Sequence, residues 1–222
     1  MTIGLARRMA AEALGTAYLL AIVIGSGIMG ERLAGGNTAI ALLANSLATG
    51  CGLAVLILVL APISGAHFNP AVTLVAALER DIAWRDAAAY VIAQVPAAFA
   101  GVAAAHFMFD EPVFSAATKV RTGPSQWAAE AIATFGLVMT IIACARHRLA
   151  AAPLAVAAFI TSAYWFTSST SFANPAVTLA RSASNTFAGV RPDDAGAFIA
   201  AQIVGAMAAL LAMRWLTPRR SA

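Results

Sequence analysis

The hexamer Asn-Pro-Ala-Val-Thr-Leu occurs twice, at residues 69–74 and 174–179, each time inside apolar sequence. Proline is favoured at the first helical position, where its missing N–H would go unbonded anyway, and the preceding asparagine is a good N-cap. Asn69-Pro70-Ala71 and Asn174-Pro175-Ala176 therefore read as two helix starts. Each start carries about half a positive charge from the helix macrodipole. Brought together, the two ends would repel cations, while the asparagine amides would offer hydrogen-bond donors to a neutral solute. This chemistry passes small polar molecules and resists ions, protons included. The remaining chemistry-bearing residues are sparse: Glu12 and Glu130 in apolar surroundings, His67 beside the first motif, and Arg181 just after the second. No nucleophile–base pair or metal-ligand cluster emerges outside these positions, so an enzyme is not expected.

The elements that must hold these residues follow from composition. The 222-residue chain is 61% hydrophobic and 11% charged, with a mean hydropathy of +0.80. A soluble domain is typically about 25% charged. A hydrocarbon core of about 30 Å calls for roughly 20 apolar residues per helix. Six long apolar segments meet that requirement, at about 9–29, 39–61, 84–108, 127–145, 153–169 and 195–216. The two motif segments are apolar but run only about ten residues past each proline, too short to cross, and so read as re-entrant half-helices. The expected fold class is an all-α membrane protein with six transmembrane helices and two half-helices. Irregular backbone at membrane depth is tolerated where it lines a watery cavity. Residues 65–68 and 170–173 should therefore turn carbonyls toward one.

An internal repeat is visible. The string "AAEALGT" at residues 10–16 returns as "AAEAIAT" at 128–134. Three spans plus a half-helix put the second unit into the membrane upside down, giving an inverted repeat of about 1–108 and 127–222 within one channel domain. Loop charges divide unevenly. Nine basic residues (Arg7, Arg8, Arg80, Arg85, Arg146, Arg148, Arg214, Arg219, Arg220) fall on one side and five (Arg32, Lys119, Arg121, Arg181, Arg191) on the other. The richer side should be cytoplasmic, with both termini. The long connection 109–126 then lies outside and is expected to fold over the outer mouth. The net charge of +4 reflects this loop pattern, not a basic aromatic face for nucleic acid. Arg7 and Arg8 before an apolar run suggest a signal peptide, but Glu12 and the absence of a convincing cleavage site favour a retained first span. Cys51 and Cys144 fall within spans and form no disulfide framework.

On "HFNPAVTL", "FANPAVTL", "AEALGT", "AEAIATF" and Gln94, the chain resembles the aquaporins, the major intrinsic protein family, over nearly its whole length. The resemblance implies six tilted helices and two half-helices around one pore per subunit, homotetramers in a lipid bilayer, and passive bidirectional flow of small polar solutes without a cofactor. It implies that Glu12 and Glu130 brace the carbonyl-bearing loops, whose pore-lining positions are Gly65, Ala66, His67, Phe68, Thr170, Phe172 and Ala173. His67 orients its loop.

The family's selectivity filter carries over by spacing from the two asparagines to Thr49, Ser162, Ser171 and Val177. Most members place arginine at the Val177 position. Water-selective members have Phe and His at the first two positions, and glycerol channels have bulky aromatics. The quartet here is small, uncharged and free of aromatics, which predicts a wide ring admitting larger polar solutes. Such a filter most resembles aquaporins that accompany bacterial arsenic-resistance genes, in the plasma (inner) membrane. That suggests metalloid hydroxides such as arsenite, and methylated arsenicals, as cargo. A degenerate, poorly conducting channel is the plainer reading of Val177. Arg181 lies one turn beyond it, where the first repeat has Ala76. It either lines the outer vestibule or snorkels to lipid phosphate or pairs with Asp193 or Asp194. A secondary transporter remains the rival class, since inverted repeats with broken helices also occur there.

Overall fold

The computed structural model describes residues 3–217; Arg219 and Arg220 lie outside them. Eight α-helices follow in chain order: α1 (Leu5–Leu33), α2 (Thr38–Ser64), α3 (Pro70–Leu78), α4 (Trp84–Met108), α5 (Pro124–His147), α6 (Ala152–Phe166), α7 (Pro175–Arg181) and α8 (Pro192–Leu216). A 3-10 turn, Leu149–Ala151, leads into α6. No strand occurs among the described residues. At 1.5 Å per residue the 29 residues of α1 extend about 43 Å, more than the hydrocarbon thickness, so the helix is tilted or projects.

The two short elements, α3 with 9 residues and α7 with 7, both begin at the prolines of the repeated hexamer. Each is capped by the asparagine before it: Asn69 Oδ1 accepts from Ala71 N at 2.9 Å, and Asn174 Oδ1 from Ala176 N at 3.0 Å. The sequence thus encodes the helix start in three residues. Several element ends lie a few residues from the expected spans: α1 runs from Leu5 to Leu33, α2 continues to Ser64 and α8 begins at Pro192. Helix α5 begins at Pro124, because proline again takes the first helical position. Helix α6 ends at Phe166 instead of continuing to residue 169, and the chain runs on irregularly to Asn174.

Helix pairs α1–α4 and α5–α8 pack along their lengths, as do α1–α2 and α5–α6, so the two halves repeat one arrangement. Helix α3 packs on α4 and α8, and α7 does the same. Close crossings depend on glycine. A Cβ on Gly101 would collide with the carbonyl oxygen of Ala17 in α1, and one on Gly205 with that of Ala131 in α5. Small residues at such crossings let backbones approach, which is how apolar helices associate where lipid offers no hydrophobic drive. Large apolar side chains such as Leu58, Ile92, Leu154, Val204 and Leu211 are exposed on the outside of the bundle, as a lipid-facing surface requires.

Ion pairs tie the bundle at both ends. Arg8 meets Asp86 at 2.7 Å, and Glu79 at the end of α3 holds Arg146 and Arg214, each at 2.7 Å. At the opposite end Arg32 pairs with Glu111, and Arg191 with Asp194. The α4–α5 connection lies over that second end. Its Ser115 and Ala117 amides donate to Ala183 and Ser182 carbonyls, and Lys119 O accepts from Arg191 N. The structure thus lays this connection over residues 182–191.

Candidate functional site: a pore between two capped half-helices

A cavity of about 910 Å³ runs from Glu79, Arg146 and Ala150 past both Asn-Pro motifs to Thr49, Tyr164 and Arg181. Its middle is built by the two asparagines. Each uses its side-chain oxygen to cap its own half-helix and its nitrogen to reach the other half. Asn69 Nδ2 donates to Ala173 O at 2.7 Å, and Asn174 Nδ2 to Phe68 O at 2.8 Å. The partners fix the amide orientation, since backbone N–H groups can meet only the oxygen and carbonyls only the nitrogen. A primary amide has two N–H donors, so one of each pair cross-links the repeats and the other is left for a solute. Sequence reasoning expected the amides to serve solutes; the structure adds that they also close the two halves on each other.

The loops that feed these helices are strained. Positive φ occurs at Gly65, Ala66 and Phe68 in the first repeat and at Thr170, Ser171 and Ala173 in the second. Five of these six are not glycine, at a cost of order 1–3 kcal/mol each. Two buried carboxylates hold the strain. Glu12 accepts from Ser64 Oγ (2.6 Å), His67 N (2.9 Å), Phe68 N (2.7 Å) and Gln94 Nε2 (2.9 Å). Glu130 accepts from Ser169 Oγ (2.6 Å), Phe172 N (2.8 Å), Ala173 N (2.9 Å) and Gln202 Nε2 (2.7 Å). Both acids are fully buried, and all eight of these bonds come from N–H or O–H donors. A carboxylate is an acceptor-only group with about four lone-pair sites, which is why a glutamate, and not a glutamine, suits the place. His67 Nδ1 lies 3.1 Å from Thr73 Oγ1, with its ring edge-on to Tyr90, a fixed position against α3 and α4.

Ser64, Ser169, Thr73, Thr178 and Gln202 complete these networks and were not singled out from the sequence. Their signal was present: Ser64 and Ser169, like Thr73 and Thr178, stand 105 positions apart, the same offset as the two asparagines. Gln202 in α8 does for Glu130 and Thr178 what Gln94 in α4 does for Glu12 and Thr73.

Toward the end covered by the α4–α5 connection, Thr49, Ser171 and Val177 line the cavity. Ser162 does not. It is exposed on α6, with its Oγ turned back to Phe159 O at 2.7 Å, on the stripe shared with Leu154, Ala158 and Trp165. Counting from Asn174 presumes a fixed length for the connection into α7. An offset of two residues turns a helix by about 200°, onto its other face. The residue that takes the place is Tyr164, buried, with its hydroxyl 3.3 Å from Thr49 Oγ1. The expectation of an aromatic-free wall is thereby corrected. Ser171 Oγ is buried in the wall without a hydrogen-bond partner.

Arg181 is neither at the lipid boundary nor paired with an aspartate. It is 2% exposed; Asp193 and Asp194 both meet Arg191 instead. Its Nε donates to Ala188 O, and its guanidinium lies 3.3 Å from the Phe172 ring centroid. It lines the long cavity and also a second one of about 170 Å³ bounded by Thr38, Leu42, Asn45, Lys119, Arg121, Thr170 and Phe187. Thr170, expected in the pore wall, faces this second cavity. Gly65, Ala66, His67, Phe68, Phe172 and Ala173 line the long one.

The comparisons with known proteins agree with this geometry. The model of the major intrinsic protein family matches residues 1–166. The chain is 58% identical over 212 residues to aquaglyceroporin AqpS of Rhizobium meliloti (strain 1021), covering 96% of this chain and 91% of that protein. It is 33% identical over 156 residues to aquaporin NIP6-1 of Arabidopsis thaliana, covering 69% of this chain and 50% of the plant protein. Its fold matches the aquaglyceroporin of Plasmodium falciparum with a TM-score of 0.75 at 18% identity, over 97% of this chain and 98% of that one. With a capped half-helix from each inverted repeat meeting in a continuous cavity, and a family match over most of its length, this chain belongs to the major intrinsic protein family and is a membrane channel, not an enzyme.

Proposed function

We propose that the channel passes neutral polar solutes larger than water, of the polyol and metalloid-hydroxide type, including arsenite and methylated arsenicals in their uncharged forms. The observation that carries this reading is the mixed wall at Thr49, Tyr164, Ser171 and Val177. Hydroxyls come from Thr49, Tyr164 and Ser171, that of Ser171 unpartnered; Val177 supplies methyl groups. A solute with hydroxyls on one edge and carbon or methyl on the other can exchange its hydration for these groups, whereas water makes no use of the apolar side. The similarity to the Rhizobium meliloti aquaglyceroporin supports the same solute size. The working unit in this reading is a homotetramer in a bacterial plasma membrane, both termini cytoplasmic and the Arg181 mouth outside.

The test is flux into proteoliposomes for water, glycerol, arsenite and a methylated arsenical, comparing wild type with Val177→Arg. The long cationic side chain should cut glycerol and arsenical flux by about tenfold or more while sparing water. Equal flux of the larger solutes through both proteins would remove Val177 from the selective wall. A saturable, proton-gradient-dependent flux would instead favour a transporter.

A further inference from the structure

Three cations crowd the mouth beyond Val177, and none of their side chains is bonded to an acid. Lys119 and Arg121 arrive on the α4–α5 connection and Arg181 ends α7. Three successive carbonyls of the following loop hold one each: Phe187 O takes Lys119 Nζ (2.9 Å), Ala188 O takes Arg181 Nε, and Gly189 O takes Arg121 Nε (3.0 Å). Both guanidiniums also lie against one aromatic ring, that of Phe172, at 5.1 Å for Arg121 and 3.3 Å for Arg181. None of the three makes an ion pair among the described residues. The fixing bonds use carbonyls, Arg121 adding Ser169 O at 3.0 Å, so the three positive charges are held in place against a nearby buried carboxylate, Glu130, which makes no direct bond to any of them.

Arg181 is the telling member. It is 98% buried, yet neither of its terminal nitrogens makes a hydrogen bond to the described residues. A guanidinium presents five N–H donors in a rigid fork, and here the terminal pair is left for the cavities that Arg181 lines. It is the residue common to both the long pore and the 170 Å³ cavity. Beyond it the pore wall is neutral, at Val177, Thr49, Tyr164 and Ser171, until the capped half-helices.

We infer that the cavity formed by Arg181, Arg121 and Lys119 is a binding site for a small tetrahedral oxyanion, which when occupied obstructs the pore mouth. A fork of guanidinium donors and an ammonium match oxygen-rich anions in geometry and charge. An anion that goes further must leave those donors for a neutral wall, so it lodges at the mouth and blocks neutral solutes. Occupancy should fall as pH rises through about 8, where Lys119 loses its proton. The residue as a whole is exposed, but partial desolvation of its ammonium, then the neighbouring Arg121 and Arg181, lower its pKa to that value against the opposing pull of Glu31. The site stands apart from the solute reading above, since it concerns an obstructing ligand and not the cargo.

The experiment measures glycerol flux in phosphatidylcholine proteoliposomes with sulfate on both sides, against chloride at equal ionic strength. Sulfate keeps its charge from pH 6 to 9 on any scale of interest here. Each variant is normalised to its own sulfate-free flux, so a slower channel still reports. Wild type should be inhibited by sulfate, with about tenfold weaker inhibition in Arg181→Gln and a smaller weakening in Lys119→Gln. Lys119 is exposed, so its variant folds even where the arginine variant fails. Inhibition should also weaken above about pH 8 in wild type but not in Lys119→Gln. Absence of inhibition in wild type, or inhibition equal in wild type and Lys119→Gln, would overturn the site. Where glycerol does not pass, the same ratio is read from water flux, so failure of the solute assignment and failure of this site are told apart.

Discussion

Replacing Glu130 by glutamine isolates what the buried carboxylate does. At present four donors converge on it: Ser169 Oγ, Phe172 N, Ala173 N and Gln202 Nε2. A glutamine oxygen can keep two, for instance Ser169 Oγ and Phe172 N, but its own NH2 then faces Ala173 N and Gln202. Gln202 can turn, because its Oε1 is buried and unpartnered. The Ala173 N–H is fixed by the backbone and cannot. Leaving that donor buried and unbonded costs about 1–3 kcal/mol, and exchanging two charge-assisted bonds for neutral ones costs about 2 more, about 3–5 kcal/mol in all. For a chain of this size that corresponds to a fall in apparent melting temperature of roughly 6–20 °C. Ala173 also has positive φ and carries the carbonyl that receives Asn69 Nδ2, so glycerol flux should fall with stability. The assay is thermal unfolding in detergent alongside liposome flux. Glu12→Gln is the internal control, because its four partners are equivalent in number and kind. If both variants melt within about 2 °C of wild type and conduct normally, the bracing role is refuted.

Three further outcomes are expected. Tyr164→Ala should raise the flux of glycerol-sized solutes more than that of water, because it removes the ring opposite Thr49; liposome flux ratios check this, and an unchanged ratio would return the position to Ser162. Ser162→Ala should leave those ratios unaltered, its hydroxyl being exposed and bonded within α6. Gly101→Leu and Gly205→Leu should each abolish assembly of a stable channel, since even a Cβ strikes a backbone carbonyl of the facing helix; recovery of a monodisperse, conducting protein would show that the crossings can yield.

Much of this molecule was legible in the chain because its signals are local. The helix starts at Pro70 and Pro175 need only the preceding asparagine and an apolar run, and the inverted architecture needs only the repeat and the hydrophobic lengths. Glu12 and Glu130 stood out because an acid in an apolar span must find donors. What the sequence left open depends on rotation and on contacts between distant segments. Ser162 and Tyr164 sit two residues apart on one helix, yet only one faces the pore. Their choice depends on where α6 stops and how far the chain then runs to Asn174, which the pattern of residues does not state. Arg181 could be read as a lipid anchor, a partner of Asp194 or a vestibule residue, because each is within reach of its chain. Packing decided among these: the loop at residues 187–189 folds back to bond three cations, and Asp194 is already taken by Arg191 and the Arg121 amide. The sequence determined that two positive helix ends meet inside a membrane. Tertiary structure decided which side chains surround the path beyond them, because that depends on helix rotation and loop closure, which only long-range packing sets.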